Sequence, residues 1–281
     1  MSPVVLAAVL FAALLHAVWN ALIKVSGDRL VVIAVTTIAS SLLAVPFLFL
    51  LPFPAAAAWP YLMLTVGLHS GYVLLLVRAY GLGDFAQIYP LSRGSAPLLT
   101  ALLGFLLLGE TMTLSELLGM ALIVSGILAL AAERIAGIRQ LSRAALLYSL
   151  LTGVFITAYS LVDGSGVRVA GNPFSYIAWL FFLDGWVVPI LTVWRRPRSL
   201  LISALRDVWK VGLLVALLST VGYALVVWGF SQERIAPVAV LRETSVLFAM
   251  LISVLVLKER LSLLRITIVI LIVSGIVLLG I

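Results

Sequence analysis

Apolar residues fall into ten stretches of about 20 residues, roughly 3–24, 29–51, 58–80, 85–108, 113–132, 142–163, 174–194, 208–231, 236–257 and 262–281. A helix rising 1.5 Å per residue needs about that length to cross the hydrocarbon core of a bilayer. With 64% of its 281 residues hydrophobic and only 10% charged, the chain carries more apolar surface than a soluble domain of this size can bury. Lipid is therefore the solvent, and the expected fold class is an all-α membrane protein of ten transmembrane helices. Residues 3–23 lack a basic leader region and a small-residue cleavage site, and they contain His16, Trp19 and Asn20, so they read as a retained span.

An internal repeat organises these spans. The pentapeptide Ile123-Val-Ser-Gly-Ile127 recurs identically at Ile272–Ile276, an offset of 149 residues. The same offset pairs Arg93 with Arg242 and Glu110 with Glu259, so segments 86–131 and 235–280 are copies of one unit. Each half, 1–135 and 142–281, then holds five spans. An odd number makes the second half enter the membrane the other way up, giving two inverted five-helix repeats.

Lysine and arginine set the expected orientation. Of 18 such residues, 14 fall in the loops after the odd-numbered spans: Lys24, Arg29, Arg78, Arg134, Arg139, Arg143, Arg195, Arg196, Arg198, Arg206, Lys210, Lys258, Arg260 and Arg265. Arg168 and Arg234 lie on the opposite side, and Arg93 and Arg242 lie within spans. The positive-inside rule then places both termini outside, in the cell (inner) membrane. The segment from Arg195 to Lys210 reads as a basic amphipathic stretch at the membrane surface. The net charge of +7 fits anionic lipid headgroups, not nucleic acid, because it is spread over short loops. Zero cysteines remove disulfides and thiolate metal sites, and two histidines in separate spans argue against a catalytic metal centre.

Function should lie where polar groups enter the apolar spans. Arg93 sits well inside the fourth, flanked by Pro90, Gly94 and Pro97, which favour a kinked or opened helix. A charge in hydrocarbon is costly and needs a cavity or a partner. Arg242 and Glu243 are adjacent in the ninth span, about 100° apart on a helix, so they should face different partners. Arg93 has no acid in its own span, whereas Asp184 is a candidate partner for Arg242. In the first span His16, Trp19, Asn20 and Lys24 share one face, and His16 is a titratable group. His69, Tyr72, Leu76 and Tyr80 form a similar face on the third. Tyr89, Tyr159, Tyr223 and Trp228 are further aromatic candidates for walling a cavity or stacking on a cation. Asp163-Gly-Ser-Gly-Val-Arg168 reads as a tight turn, and Glu110 and Glu259 as boundary residues.

The pattern Pro90-x-x-Arg-Gly-x-Ala-Pro97, then Leu108-Gly-Glu110 and Gly119-x-x-x-Ile-x-x-Gly126, resembles the EamA-type transporters of the drug/metabolite transporter superfamily. So does His16-Ala-Val-Trp-Asn20 followed by Lys24, and the second half repeats the pattern with Leu257-Lys-Glu259. The resemblance covers essentially the whole chain. It implies ten helices in two inverted repeats around a central cavity, without an ATPase domain, moving amino acids, metabolites, lipid-linked sugars, nucleotide sugars or sugar phosphates. Better-known members keep their termini in the cytoplasm, whereas the loop charges here argue for the reverse.

The expectation is a secondary transporter, an exporter or exchanger, working by alternating access on a small metabolite with an anionic group. The guanidinium forks of Arg93 and Arg242 suit a carboxylate, phosphate or phosphonate. Expected substrate-binding residues are Arg93, His16, Trp19, Asn20, Tyr89, His69, Tyr80, Arg242, Glu243 and Tyr223. The alternatives are an exporter of lipophilic cations held by aromatics and Glu243 or Asp184, a lipid-linked sugar flippase, and an intramembrane enzyme or scaffold. No serine–histidine pair at local spacing and no His-Glu-x-x-His motif supports catalysis, so no catalytic residue, metal or cofactor is expected. Expected partners are the small-molecule substrate, membrane lipids and a proton or counter-substrate, with the chain a monomer or homodimer.

Overall fold

The structure, a computed structural model, describes residues 1–26, 28–82, 85–135, 142–195, 197–257 and 262–280. These form twelve α-helices and, among the described residues, no strand. In order they are α1 (Pro3–Val25), α2 (Arg29–Leu50), α3 (Trp59–Leu82), α4 (Phe85–Leu108), α5 (Leu114–Ile135), α6 (Arg143–Val169), α7 (Pro173–Asp184), α8 (Val187–Arg195), α9 (Arg198–Gln232), α10 (Ile235–Arg242), α11 (Ser245–Leu257) and α12 (Leu263–Gly280). Ten spans become twelve helices because the seventh is divided into α7 and α8 at Gly185–Trp186, and the ninth into α10 and α11 at Glu243–Thr244. Among the described residues, nine stretches are long and apolar enough to cross a membrane, and Leu114–Leu130 is a shorter apolar helix. Bulky side chains such as Phe49, Trp194 and Leu263 stand more than four-fifths exposed. A surface of that kind is tolerated by acyl chains and not by water. The chain is an integral, multi-pass membrane protein.

Local signals explain several helix ends. Ser2, Asp28, Ser142 and Asn172 each accept backbone N–H bonds at a helix start. Pro3 and Pro173 occupy first-turn positions, where no donor is lost. Three expectations are corrected. Despite its prolines, α4 runs unbroken from Phe85 to Leu108, and the opened span is its repeat partner α10–α11. Asp163–Arg168 is not a turn but part of the 27-residue α6, with Asp163 and Gly166 buried in the bundle. The basic stretch from Arg195 to Lys210 is not one separate segment: Arg195 ends α8, and Arg198 to Lys210 open the 35-residue α9, which at about 1.5 Å per residue outreaches the hydrocarbon core.

The packing has the pattern an inverted repeat requires. Helix α3 packs on α6 as α9 packs on α1; α2 packs on α9 as α7 packs on α3; α4 packs on α6 as α10 and α11 pack on α1. The α5–α12 pair is its own mate, and the repeated pentapeptide lies at its crossing. A Cβ on Gly275 would stand 2.6 Å from Cγ1 of Ile123, and one on Gly126 would stand 2.7 Å from Cγ1 of Ile272. These contacts exchange under the 149-residue offset. The pentapeptide packs against its own copy, so both copies meet the same steric demand. Gly119 and Gly275 also bring backbone against backbone, with a Cβ on either only 2.6–2.7 Å from the other's carbonyl oxygen. Small residues are what membrane helices use for such close approach.

The largest core cluster seals the bundle toward the termini. It joins Val5 and Val9 of α1, Leu62 of α3, Tyr176 and Leu180 of α7, Phe230 of α9 and Leu241 of α10. Charged groups tie the same end. Arg168 pairs with Glu110 at 2.8 Å and donates to the carbonyls of Phe230 and Glu233. Glu110 accepts the N–H of Ile235, at the start of α10. Arg234 binds Glu116 and the carbonyl of Thr111, and Glu233 accepts the N–H of Ser2. Glu110 is thus a boundary residue, as its position suggested; Glu259 lies outside the described residues.

Candidate functional site

Above this seal lies a cavity of about 190 Å³, with walls from both halves of the chain. Helix α1 supplies His16 and Trp19, α3 His69 and Tyr72, α4 Arg93, α6 Tyr159, α7 Asp184, α9 Tyr223 and α10 Arg242. Helix α2 adds the hydroxyls of Thr36, Thr37 and Ser40.

One end of the cavity is basic. Arg93 donates through one Nη to both oxygens of Glu243, at 3.0 and 3.1 Å. Its other Nη meets Nε2 of His16 at 2.5 Å. A guanidinium has no lone pair to offer, so His16 accepts through Nε2 and is the neutral ring protonated at Nδ1. Arg242 donates to Oε1 of the same glutamate from Nε and Nη2, at 3.3 and 3.2 Å, and stands 5.7 Å over the ring of Tyr159. Side chains of Arg93 and Arg242 are 4% exposed and that of Glu243 is 1% exposed. Among the described residues two arginines share this one acid, leaving a single positive charge in excess.

The offset explains this asymmetry. Arg93 and Arg242 are equivalents, but the position of Glu243 corresponds to Gly94. The acid therefore occurs once, and it serves both arginines. It can do so because α10 ends at Arg242. Glu243 occupies the turn before Ser245, where the 100° spacing of a continuing helix no longer governs its direction. This corrects three expectations. Arg93 is paired with Glu243, Arg242 and Glu243 bond each other instead of facing different partners, and Glu243 is spent behind the arginines instead of facing a bound cation.

The other end is acidic. His69 places Nδ1 3.2 Å from Asp184 and Nε2 3.4 Å from Asp163, the second contact lacking hydrogen-bond geometry. Asp163, fully buried, accepts from the hydroxyls of Tyr176 at 3.0 Å and Tyr223 at 2.5 Å. Asp184 thus partners His69, not Arg242. Between the two ends stands Tyr159, edge-on to His69 at 4.5 Å, Tyr72 at 5.7 Å and Tyr223 at 6.1 Å between ring centroids.

Of the residues singled out from sequence, His16, Trp19, His69, Tyr72, Arg93, Tyr159, Asp184, Tyr223 and Arg242 line this cavity, and Glu243 braces it from behind. Asn20 is not in the lining; its amide bonds the carbonyl of His16 in its own helix. The side chains of Lys24, Tyr80 and Tyr89 lie outside the described residues. Asp163 was the principal omission. It stands one helical turn after Tyr159, and that i, i+4 spacing was the signal for a shared face. Tyr176 and the α2 hydroxyls carry no such mark in the sequence.

Comparison with known proteins agrees with this architecture. The sequence profile of the EamA-like transporter family matches residues 3–132 and again residues 143–281. A stretch of 73 residues, 26% of this chain, is 34% identical to multidrug resistance protein EbrB of Bacillus subtilis (strain 168), spanning 62% of that relative's length. A protein of known crystal structure superposes with a TM-score of 0.72 over 98% of this chain and 94% of its own, at 17% identity, a likeness of fold alone. Matched by the profile in both halves and along nearly its whole length, the chain belongs to the EamA-like transporter family.

Proposed function

We propose that this protein is a secondary transporter that carries a small amphoteric or anionic metabolite through the cavity between its halves, 1–135 and 142–281, by alternating access. The observation that carries this reading is the division of one cavity into a basic end, at Arg93 and Arg242, and an acidic end, at Asp184. A carboxylate, or a like anion, meets the positive charge left over when two guanidiniums share Glu243. An amine at the far end of the same solute meets Asp184, whose side chain is 23% exposed. Arg242 is the better anchor, because Arg93 is engaged by both oxygens of Glu243 and by His16. The seal toward the termini makes this arrangement one of the two end states. By the loop charges, that sealed side faces outward in the cell (inner) membrane.

A second reading, export of lipophilic cations, takes support from the likeness to the multidrug resistance protein of Bacillus subtilis and from the tyrosines beside Asp184. A thermal-stability screen of the purified protein separates the two. A ligand at 100 times its dissociation constant adds about 2.7 kcal/mol. Leucine and its halves, isoamylamine and isocaproate, are the first probes, followed by wider metabolite sets and tetraphenylphosphonium. Stabilisation by carboxylate-bearing solutes, lost in Arg242→Gln, is the expected result. Stabilisation by lipophilic cations alone, unchanged in Arg242→Gln, would overturn the anion reading.

A further inference from the structure

We infer that His69, held between Asp184 and Asp163, is the residue on which this transporter stores a coupling proton. The inference deepens the transport reading above and rests on it, but its chemistry stands on the acidic end alone.

Both ring nitrogens face carboxylates, at 3.2 and 3.4 Å. A neutral imidazole would have to turn a lone pair toward one of them, whereas an imidazolium donates from Nδ1 to Asp184 and sets its second N–H beside Asp163, a charge contact outside hydrogen-bond geometry. An imidazolium also sets a positive charge 3.4 Å from the fully buried Asp163, whose two phenol donors satisfy its oxygens without supplying one. The groups facing His69 are Tyr72 from its own helix, Tyr159 and Asp163 from α6, Asp184 from α7 and Tyr223 from α9. None of these is a cation. Arg242 stands beyond, over the Tyr159 ring, and Arg93 of α4 is turned to Glu243 and His16.

The two nitrogens have different roles. Nε2 is shut away from the cavity against Asp163, so the proton there stays. Nδ1 faces Asp184, which is 23% exposed, so the exchangeable proton passes between Nδ1 and water through that carboxylate. On release, the N–H bond at Nδ1 breaks, the proton goes by way of Asp184 to cavity water, and the ring is left neutral with hydrogen on Nε2. His16 is the opposite neutral tautomer, with Nε2 accepting from Arg93.

The stored charge also bears on the seal. Asp163 anchors Tyr176, fully buried in the sealing cluster and seated where a Cβ on Gly166 would lie 2.6 Å from its ring. With His69 charged, the acid stays compensated and α6, α7 and α9 stay joined beneath the cavity. With the proton gone, Asp163 and Asp184 face a neutral ring, and that arrangement favours admitting water or a cation.

The chain has only two histidines, so the test is direct. Nitrogen-15 NMR of histidine-labelled protein in lipid at neutral pH should show one doubly protonated ring and one neutral ring protonated at Nδ1. His16→Asn should remove the neutral one. Raising the pH should convert the charged ring to the form protonated at Nε2. A ring of His69 already neutral at pH 6 would overturn the proposal. In solute-free proteoliposomes on a solid-supported membrane, a pH jump should give a transient charge movement that falls at least ten-fold in His69→Asn. A transient of wild-type size in His69→Asn would also overturn it. Neither measurement needs a transported solute, so failure here leaves the anion site standing, and failure of the ligand screen leaves this site standing.

Discussion

Replacing Glu243 with glutamine should destabilise the protein more than any other single change at the cavity. The glutamate accepts from Arg93 and Arg242 through a shared oxygen, at 3.0 and 3.2 Å. The two donor nitrogens therefore lie within about 6 Å of each other, and at an effective dielectric of 20 two unit charges at that distance repel by about 3 kcal/mol. Mutational experience with buried pairs, where removing one partner costs about 3–5 kcal/mol, points to the same size. At roughly 2–4 °C per kcal/mol, the apparent melting temperature in detergent should fall by about 6–12 °C. Adding Arg242→Gln removes one of the repelling charges, so the double variant should melt above Glu243→Gln alone. That rescue separates charge repulsion from simple loss of packing. Equal melting of Glu243→Gln and wild type, or a double variant less stable than the single one, would refute the shared-acid account.

Other consequences follow from the same geometry. Cysteine introduced at Thr37 or Ser40, both in the cavity wall, should react with a water-soluble maleimide, whereas cysteine at lipid-facing Leu107 should react only with a membrane-permeant one; equal labelling by both reagents would place the cavity wrongly. Gly119→Val should cost about 2 kcal/mol or more, because its side chain would enter the Gly275 carbonyl only 2.7 Å from a Cβ, and a wild-type melting temperature would show that the crossing yields. Arg168→Gln frees Glu110 and the last carbonyls of α9, and should raise thiol labelling of a Val238→Cys reporter in the seal several-fold. A C-terminal reporter active only in the cytoplasm should be silent, and strong activity would reverse the orientation while leaving the fold intact.

The sequence disclosed the spans because lipid imposes a length and a polarity on each one, and disclosed the repeat because one offset aligned two charges and a pentapeptide. It marked His16, His69, Arg93 and Arg242 for a similar reason: a histidine or arginine inside a span is too costly to be incidental. What it hid was pairing across the axis. Reading along one helix, Arg93 had no acid, since its partner is 150 residues away at a position whose equivalent is glycine. The prolines misled because proline permits a bend without requiring an interruption, while the repeat partner of α4, which did open at Glu243–Thr244, has no proline at the break. Asp163 was overlooked because its glycine-rich surroundings resemble a turn, although Gly166 there makes room for the Tyr176 ring.

The crossing of α5 and α12 has one more consequence. When two inverted halves trade shapes, each takes up the form the other had, and every contact between them is replaced by its mate. A contact that is its own mate has nothing to be replaced by. The contacts of Ile123 and Ile272, each packed against the other copy's glycine, exchange only with one another, so their crossing as a whole is such a place. The pair can serve as the axle about which the rest of the bundle turns, so a crosslink there should leave transport running, whereas one across the terminal seal should stop it.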